Sequence, residues 1–207
     1  MSQFEILDWQ SQGSFYYEGM VRKKEINDGS CFFHCIADSF YKPYQIGKVN
    51  RTQFVSDMRS QLSLILPQYY LSLSRGKLLE YSESVPGFTL EQMVKTLNSK
   101  EHVDNRFNEF VSNVFNKDIY ILNYSTKDVY ITGNDDDILY KNRESIVIIW
   151  INGNHYDLVG ILNDSTLLTL FKPDHPFILS IKSRINNRRV VSTPKGSHIM
   201  EGQNKIK

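Results

Sequence analysis

Hydrophobic and polar positions divide the chain into a helical first half and a strand-rich second half. Up to about residue 117, apolar residues recur three and four positions apart, the spacing of a helix with one buried face. Thr89 is suited to cap a helix, and Pro67 is expected to end one. The predicted helices cover residues 31–41, 51–66, 69–80, 89–97 and 104–115.

From residue 118 onward, short runs rich in Ile, Val and Tyr predict strands. The run 145–151 is apolar without alternation, which is typical of a strand buried on both faces. Asn152-Gly153 is a strong hairpin signal and places His155 at the beginning of the next strand. The order of elements indicates an α+β fold. The predicted strands cover residues 118–122, 128–132, 145–151, 155–162 and 167–171.

Composition adds bounds on size and compartment. A chain of 207 residues suits one domain with tails, and its net charge of +1 does not point to nucleic acid or membrane partners. The chain has only two cysteines, Cys31 and Cys35, which is too few for a disulfide framework and favours a reducing compartment. The N-terminus does not resemble a signal peptide, and no apolar run approaches the roughly 18 residues that span a bilayer. We therefore expect an intracellular, cytoplasmic protein.

The two ends of the chain differ in character from its middle. Residues 1–20 are interpreted as an N-terminal extension, and residues 21–171 as the domain. Residues 172–207 are rich in Lys and Arg and are interpreted as a basic extension whose end is mobile. The basic run 182–189 lacks interleaved aromatic residues, so a solvated segment is favoured over a nucleic-acid site.

Cys31 is the first candidate for chemistry. It follows the turn-forming residues Asn27-Asp28-Gly29-Ser30 and begins a predicted helix. The free N–H groups and the dipole at a helix N-terminus lower the pKa of a thiol and can hold an oxyanion. Gly29 would let the loop turn and leave space for a substrate carbonyl. Taken alone, however, a free cysteine is more often a small buried apolar residue.

His155 and Asp157 complete a catalytic pattern with Cys31. They lie two apart on a predicted strand, so their side chains share one face, while Tyr156 points to the core. Asp157 could then accept a hydrogen bond from one ring nitrogen while the other nitrogen faces Cys31. A nucleophile, a base and a group that orients the base are what thiol catalysis requires.

Other polar groups are weaker candidates. Cys35 could pair with a histidine on a metal, but C-x-x-x-C alone is a weak zinc signal, and a core position is favoured. His34 is expected to be exposed or partly packed beside the site. The run Asp135-Asp136-Asp137 does not match a calcium-binding loop, so a solvated turn is favoured.

Two short motifs carry a resemblance to a known family. The segment from Asp28 to Cys31, followed by two phenylalanines, and the later His155-Tyr156-Asp157 resemble the ovarian tumour (OTU) family of deubiquitinating cysteine proteases. The resemblance covers about residues 20–165. Residues 98–106 look like an insertion relative to the family, and Ser30 stands where Asn is more usual. A compact, divergent member of this kind would suit a large DNA virus, in which case the compartment would be the host cytoplasm.

The resemblance implies a papain-like OTU fold, with the helical N-terminal half packed on a mostly antiparallel sheet. It also implies that the Cys31 thiolate attacks the carbonyl at the C-terminal Gly of ubiquitin and that His155 carries the proton. Asp157 would orient His155, and Asp28 would shape the loop. Backbone N–H groups of Asp28, Gly29, Ser30 and Cys31 would hold the oxyanion. Neither a metal nor an organic cofactor is needed.

The same resemblance implies partners and a groove. The partners would be ubiquitin or polyubiquitin, or a ubiquitin-like modifier. The tail of ubiquitin is slender and carries arginines, so the groove should be narrow near the nucleophile and acidic farther out. Trp150 and Asn154 are candidate substrate-binding residues near His155, although a core position for Trp150 is an equal alternative. Asp135, Asp136 and Glu83 are candidates to meet the arginines.

Two other functions remain open at this point. The same site could belong to an endopeptidase that processes a viral or cellular polypeptide. The chain could also be a ubiquitin-binding module without catalysis, but the intact set of Cys31, His155 and Asp157 argues against a retired site.

Overall fold

The structure is a computed structural model that describes residues 4–130 and 136–192. Within these residues a mixed sheet of seven strands is packed between helices. The strands are β1 (Phe4–Ile6), β2 (Met20–Lys23), β3 (Asp118–Asn123), β4 (Asp128–Val129), β5 (Ser145–Ile151), β6 (His155–Asn163) and β7 (Thr166–Leu168). The α-helices are α1 (Cys31–Phe40), α2 (Lys42–Gln45), α3 (Arg51–Tyr70), α4 (Leu78–Ser84), α5 (Leu90–Leu97), α6 (Asn108–Phe115), α7 (Asp136–Leu139) and α8 (Pro176–Ser192). Short 3₁₀ helices lie at Leu73–Gly76 and Asn105–Phe107.

The sheet order is β1-β2-β6-β5-β3-β4, and β7 pairs with residues 161–163 at the end of β6, beyond its pairing with β5. Only β3 and β5 are parallel, and every other pairing in the described sheet is antiparallel. This arrangement confirms the predicted α+β class and its mostly antiparallel sheet. In the β5–β6 pair, Ile151 lies opposite His155 and Trp150 opposite Tyr156.

Alternate residues of the sheet contribute to two separate cores. One core lies between the sheet and the first helices, and it contains Cys31, Phe33, Ile148 and Leu158. The alternation that sends Leu158 to this face sends Val159 to the other, as expected for strands buried on both sides. The second core also contains residues from both ends of the described chain: Leu7, Trp9, Phe15, Phe177, Ile178, Ile181 and Ile185.

This second core changes the domain limits drawn from the sequence. β1 and the buried residues after it bring part of the segment 1–20 into the packed body, and α8 does the same for part of 172–207. The basic run 182–189 is also not fully solvated. Asp128 is buried, and its carboxylate accepts two hydrogen bonds from Arg184, each 2.9 Å long, and pairs with Arg188.

Several element limits differ from the predicted ones, for local reasons. Pro67 lies inside α3 and does not end it. The final turn is held because Tyr70 is buried and its hydroxyl donates to the backbone oxygen of Phe88 at 2.8 Å. The predicted helix 69–80 is interrupted, because Ser74 and Arg75 take left-handed backbone angles there.

The β5–β6 hairpin is present, but its loop contains the three residues between Ile151 and His155. Gly153 has a positive φ of 88°, whereas the two-residue turn predicted from Asn152-Gly153 requires positive φ at both positions. The capping of α5 is as predicted: Thr89 accepts from the backbone N–H of Gln92 at 3.2 Å. Among the described residues, no helix combines the length and the apolar character that crossing a membrane requires.

Candidate active site

Cys31 is the first residue of α1 and lies against the beginning of β6. Its sulfur accepts a hydrogen bond from the backbone N–H of Tyr156 at 3.3 Å and donates one to the backbone oxygen of Asn154 at 3.5 Å. These two groups belong to the residues on either side of His155. The structure therefore brings the predicted nucleophile and the predicted base together, although they are distant in sequence.

The pKa of the Cys31 thiol is raised above its ordinary value of 9.0. Burial is the largest cause, and the negative charge of Asp157 adds to it. Backbone N–H groups of Tyr156 and Phe32 act in the opposite direction without reversing the shift. The N–H groups at the helix N-terminus thus lower the thiol pKa as predicted, but burial outweighs them, and the net shift of the pKa is upward.

His155 is held from one side only. Its Nε2 lies 2.8 Å from Oδ1 of Asp157, which accepts the hydrogen bond, so the shared face predicted for the two residues is confirmed. Its Nδ1 is buried and has no hydrogen-bond partner among the described residues. Since Asp157 fixes the proton on Nε2, the neutral ring leaves Nδ1 as a lone-pair acceptor.

Asp157 is itself fixed from several directions. It is 2 % exposed, and its Oδ1 also accepts from the backbone N–H of Glu25 at 2.8 Å. Its other oxygen lies 3.4 Å from Nε of Arg22, which forms an ion pair with it. Burial and the nearby Asp38 carboxylate raise the pKa of Glu25 to about 9, so Glu25 does not place a second full negative charge beside Asp157 at neutral pH.

The loop before Cys31 is braced by a buried chain of hydrogen bonds. Asp28 accepts from the backbone N–H of Ser30 at 3.0 Å and from Nε2 of His34, which lies 3.1 Å from each carboxylate oxygen. The hydroxyl of Tyr44 lies 2.6 Å from Nδ1 of His34 and donates to it, because Nε2 carries the ring proton. His34 is fully buried, so the expectation that it is exposed or partly packed is wrong.

The charges of this chain are consistent with that hydrogen-bond pattern. Burial acts to raise the pKa of Asp28, but hydrogen bonds from His34 and the Ser30 N–H outweigh it and hold that pKa below the ordinary value. Burial lowers the pKa of His34, so its ring stays neutral at neutral pH. Asp28 therefore shapes the loop as an ionised acceptor, and within the described residues its side-chain hydrogen bonds go to Ser30 and His34 and not to Cys31.

Gly29 meets two requirements that other residues would not. Its φ is +84°, a region that favours glycine. A Cβ at this position would lie 1.9 Å from the backbone oxygen of Lys100. Close packing against the 98–106 segment is therefore the structural reason for glycine here. The segment that looked like an insertion in the sequence is part of the support of the site.

A cleft of about 160 Å³ opens beside Asn154. Trp150 lies on its wall, and its indole N–H donates to the backbone oxygen of Gly153 at 2.7 Å. Asp104 also lines the cleft and pairs with Arg106 through an N···O distance of 2.7 Å. The lining residues are Val103, Asp104, Ile121, Tyr130, Trp150, Gly153, Asn154 and Tyr156.

Asp136 and Glu83, the predicted acidic groups that the structure describes, are not among the residues that line this cleft. Asp136 is the first residue of α7. Just beyond the end of this helix, Lys141 donates its backbone N–H to Asp118 at the start of β3. Trp150 pairs with the end of β3, so α7 and the cleft lie at opposite ends of that strand. Glu83 is exposed near the end of α4, and Asp135 lies outside the described residues.

Sequence reasoning missed Asp104, which is the carboxylate on the cleft wall, and Arg59, which touches the catalytic loop. Asp104 begins a predicted helix and gave no signal except its charge. Arg59 lies within an ordinary amphipathic pattern, and nothing local distinguishes it from a surface arginine. Cys35 is fully buried, in agreement with its predicted core position.

Comparison with known proteins extends this picture at the level of fold. No protein-family model and no curated protein sequence matches the chain. Among solved structures, an OTU domain in complex with ubiquitin matches with a TM-score of 0.50 at 16 % identity, covering 81 % of this chain and 84 % of that one. An OTU deubiquitinase from Wolbachia pipientis matches with a TM-score of 0.46 at 13 % identity, covering 73 % of this chain and 94 % of that one. The Hazara virus OTU bound to ubiquitin matches with a TM-score of 0.45 at 14 % identity, covering 70 % of this chain and 82 % of that one. The chain therefore has the fold of the ovarian tumour (OTU) domain.

Proposed function

We propose that this protein is a deubiquitinating cysteine protease that hydrolyses isopeptide bonds after the C-terminal Gly of ubiquitin. One observation carries the proposal. The Cys31 sulfur lies against the backbone on both sides of His155, and Asp157 holds the His155 ring from behind. This arrangement lies within a fold shared with an OTU domain that was solved in complex with ubiquitin.

The first half of the reaction uses the free ring nitrogen. The Cys31 S–H turns from the Asn154 carbonyl toward Nδ1 of His155, which accepts the proton. The thiolate attacks the Gly carbonyl carbon, and a C–S bond forms. The tetrahedral intermediate then collapses, the C–N bond breaks, and the protonated His155 gives its proton to the leaving lysine amine.

The second half regenerates the enzyme. Ubiquitin is now held as a thioester on Cys31, and a water molecule takes the place of the amine. His155 accepts a proton from that water, whose oxygen attacks the thioester carbonyl. The C–S bond breaks, the thiolate takes the proton back from His155, and ubiquitin leaves with a free C-terminal carboxyl group, which releases its remaining proton to solvent as it ionises.

Backbone N–H groups would hold the oxyanion in both halves. The Ser30 N–H is already donated to Asp28, so it is not the best donor in the loop. The N–H groups of Gly29 and Cys31 are the other donors at this end of α1, where the helix dipole also favours negative charge. The ionised Asp28 contributes by fixing the loop.

The cleft suits a slender tail. Its small volume and aromatic wall leave room for Gly-Gly near Asn154 but not for large side chains. Trp150 and Asn154 would contact this part of the substrate. Asp104, whose side chain is 52 % exposed at the cleft, would meet an arginine of the ubiquitin tail. Asp135, Asp136 and Glu83 remain separate predictions for more distant contacts.

The partners would be ubiquitin, polyubiquitin or a ubiquitin-like modifier. Both cysteines are free, and the proposed nucleophile has to stay reduced. A reducing cytoplasm is the compartment that meets this need. The mechanism uses only side chains and backbone of this chain together with water.

The test is to incubate the protein with ubiquitin that carries an electrophile at its C-terminus, beside a Cys31→Ala control. We expect a covalent adduct with one ubiquitin, absent from the control. Hydrolysis of a fluorogenic amide at the ubiquitin C-terminus should be lost in the same variant.

Other outcomes would point to the alternatives. If no adduct forms while iodoacetamide still alkylates Cys31, the thiol serves another substrate, and cleavage sites in polypeptides should be mapped by mass. If ubiquitin binds without an adduct or turnover, the protein is a binding module.

A further inference from the structure

Arg59 is a buried guanidinium in the middle of α3, only 2 % exposed. All of its donor directions are used. Nε donates to the Leu97 backbone oxygen (3.1 Å), Nη1 to the Gly29 backbone oxygen (3.3 Å) and to Ser30 Oγ (2.8 Å), and Nη2 to the backbone oxygens of Thr96 (2.6 Å) and Glu101 (2.9 Å).

Every acceptor in this set is uncharged. Within the described residues, no carboxylate lies at ion-pair distance from Arg59. The carboxylates of Asp28 and Glu101 attract the guanidinium only from beyond that distance. Its burial is therefore costly, and an apolar residue would fill such a position at lower cost. The presence of a guanidinium at this position therefore indicates a requirement for its planar set of five N–H donors, and not for stability alone.

The five bonds join three parts of the chain. One is the catalytic loop at Gly29 and Ser30. Another is the last turn of α5, where Arg59 bonds the carbonyls of Thr96 and Leu97; the Thr96 oxygen also accepts from Ser99. The third is the 98–106 segment, which also touches Gly29 from the other side through the oxygen of Lys100. The loop is thus held between the guanidinium of Arg59 and the backbone of that segment.

Arg59 also contacts the helix that carries the nucleophile. Its guanidinium carbon lies 5.0 Å from the centre of the Phe33 ring, a cation–π distance. Phe33 is fully buried two residues after Cys31. A shift of Arg59 would therefore move both the loop and the first turn of α1, which together contain the proposed oxyanion donors.

We propose that Arg59 is a positioning residue that sets the geometry of the oxyanion loop through Gly29 and Ser30. This inference rests on the proposed function, because the loop matters only if a carbonyl is attacked at Cys31. Lysine cannot reproduce the effect, since a single ammonium cannot reach acceptors in three segments at once.

The experiment compares Arg59→Lys and Ser30→Ala with wild type and with Arg143→Lys as a matched control. Arg143 is another largely buried arginine, and it bonds Asp118 and the backbone oxygens of Ser112 and Leu139. These contacts lie at the opposite end of β3 from the cleft.

Three quantities are measured. The first is kcat and KM on the fluorogenic ubiquitin amide, the second is the rate at which iodoacetamide alkylates Cys31, and the third is hydrogen exchange of the peptide 27–33. We expect kcat of Arg59→Lys to fall by about 10- to 100-fold with KM nearly unchanged, because small displacements of oxyanion donors are costly. The rate of alkylation should change less than about twofold, since the displacement of iodide from iodoacetamide by the thiolate does not develop an oxyanion.

Ser30→Ala removes one of the five hydrogen bonds to Arg59, so the kcat of this variant should fall by about threefold or more. This variant tests the proposal even if Arg59→Lys does not fold. Exchange in 27–33 should rise in both variants and not in Arg143→Lys, which should keep wild-type kcat. The proposal is overturned if kcat and loop exchange of both variants match wild type, or if alkylation falls in proportion to kcat. Wild type that never turns over ubiquitin would instead contradict the proposed function, and loop exchange would still decide the role of Arg59.

Discussion

The sulfur of Cys31 lies 3.3 Å from the backbone nitrogen of Tyr156, so the proposed nucleophile on α1 is fixed directly to the strand that carries the proposed base. The hydrogen bond makes the distance between Cys31 and His155 a property of how α1 packs on β6. Burial of Tyr156 in the same core as Cys31 keeps the two elements together. Among the described residues, no direct hydrogen bond joins the thiol to the ring of His155 in the resting site.

This geometry predicts how alkylation of Cys31 depends on pH. Because burial raises its pKa, the thiolate should form only at alkaline pH, and the iodoacetamide rate of the free enzyme should rise with an apparent pKa above 9.0. The same shift means that the neutral Cys31 thiol contributes to the free energy of unfolding. This contribution is fully present below pH 9.0 and is progressively lost as the pH rises above it, because the thiol ionises more easily in the unfolded chain.

Cys35 offers the control for that measurement. It is fully buried and its pKa is raised well above the ordinary value, so it should not react in the folded protein. Cys31→Ala should therefore show almost no alkylation across the range. An apparent pKa below 9.0 in wild type would show instead that Cys31 and His155 already form an ion pair.

The Asp157 carboxylate gives a second prediction. Asp157→Ala removes the acceptor that holds His155 Nε2 and should lower kcat by about 100-fold or more, with little change in KM. Asp157→Asn keeps an oxygen for both His155 and the Glu25 N–H, so its loss should be clearly smaller. Equal losses in the two variants would mean that the negative charge, not orientation, is what His155 requires.

The hydroxyl of Tyr44 gives a third prediction. Tyr44→Phe leaves the buried Nδ1 of His34 without a donor, so the free energy of unfolding should fall by about 1–3 kcal/mol. Urea unfolding measures this, and Tyr41→Phe is the control because Tyr41 is exposed. Since Asp28 depends on His34, kcat should fall as well. A loss of stability at unchanged kcat would mean that the hydrogen bonds from Tyr44 through His34 to Asp28 do not control the geometry of the loop before Cys31.

The elements that were predictable from sequence are those with a strong local pattern. β5 and β6 were found because apolar runs and the Asn152-Gly153 turn are short-range signals, and Thr89 marked its helix by its cap. The adjacency of Cys31 and His155 followed from a resemblance of motifs rather than from periodicity. In the structure the Cys31 sulfur hydrogen-bonds the backbone on both sides of His155, while the catalytic roles of the two residues remain predictions.

What the sequence did not reveal is set by contacts between distant segments. The pKa of Cys31 depends on how deeply α1 is buried, and the helix position alone gave the wrong direction. Arg59 acts on acceptors that are mostly backbone oxygens, which have no sequence signature. The 98–106 segment departs from the resemblance, and yet it supports Gly29 and lines the cleft.

The acidic groups of the groove give a fourth prediction. Asp104→Asn should raise KM for the ubiquitin amide by about two- to fivefold at unchanged kcat, which is the scale of an exposed ion pair. The effect should shrink at high salt, because exposed charges are screened. Asp136→Asn and Glu83→Gln are compared in the same assay. A rise in KM for either of them, without one for Asp104→Asn, would place the arginine contact away from the cleft.

The packing of α8 gives the last prediction, which concerns the domain limit that the sequence placed at residue 171. Ile181 is fully buried in the second core, whereas Leu179 on the same helix is 49 % exposed. Ile181→Ala should therefore lower the free energy of unfolding by about 2–5 kcal/mol, and Leu179→Ala should change it by less than about 1 kcal/mol. Urea unfolding of the two variants measures the difference. Two similar, small values would mean that α8 contributes little to the fold and that residue 171 is the functional limit of the domain. The expected contrast would instead make the basic helix part of the body that holds β6, and with it His155, in place.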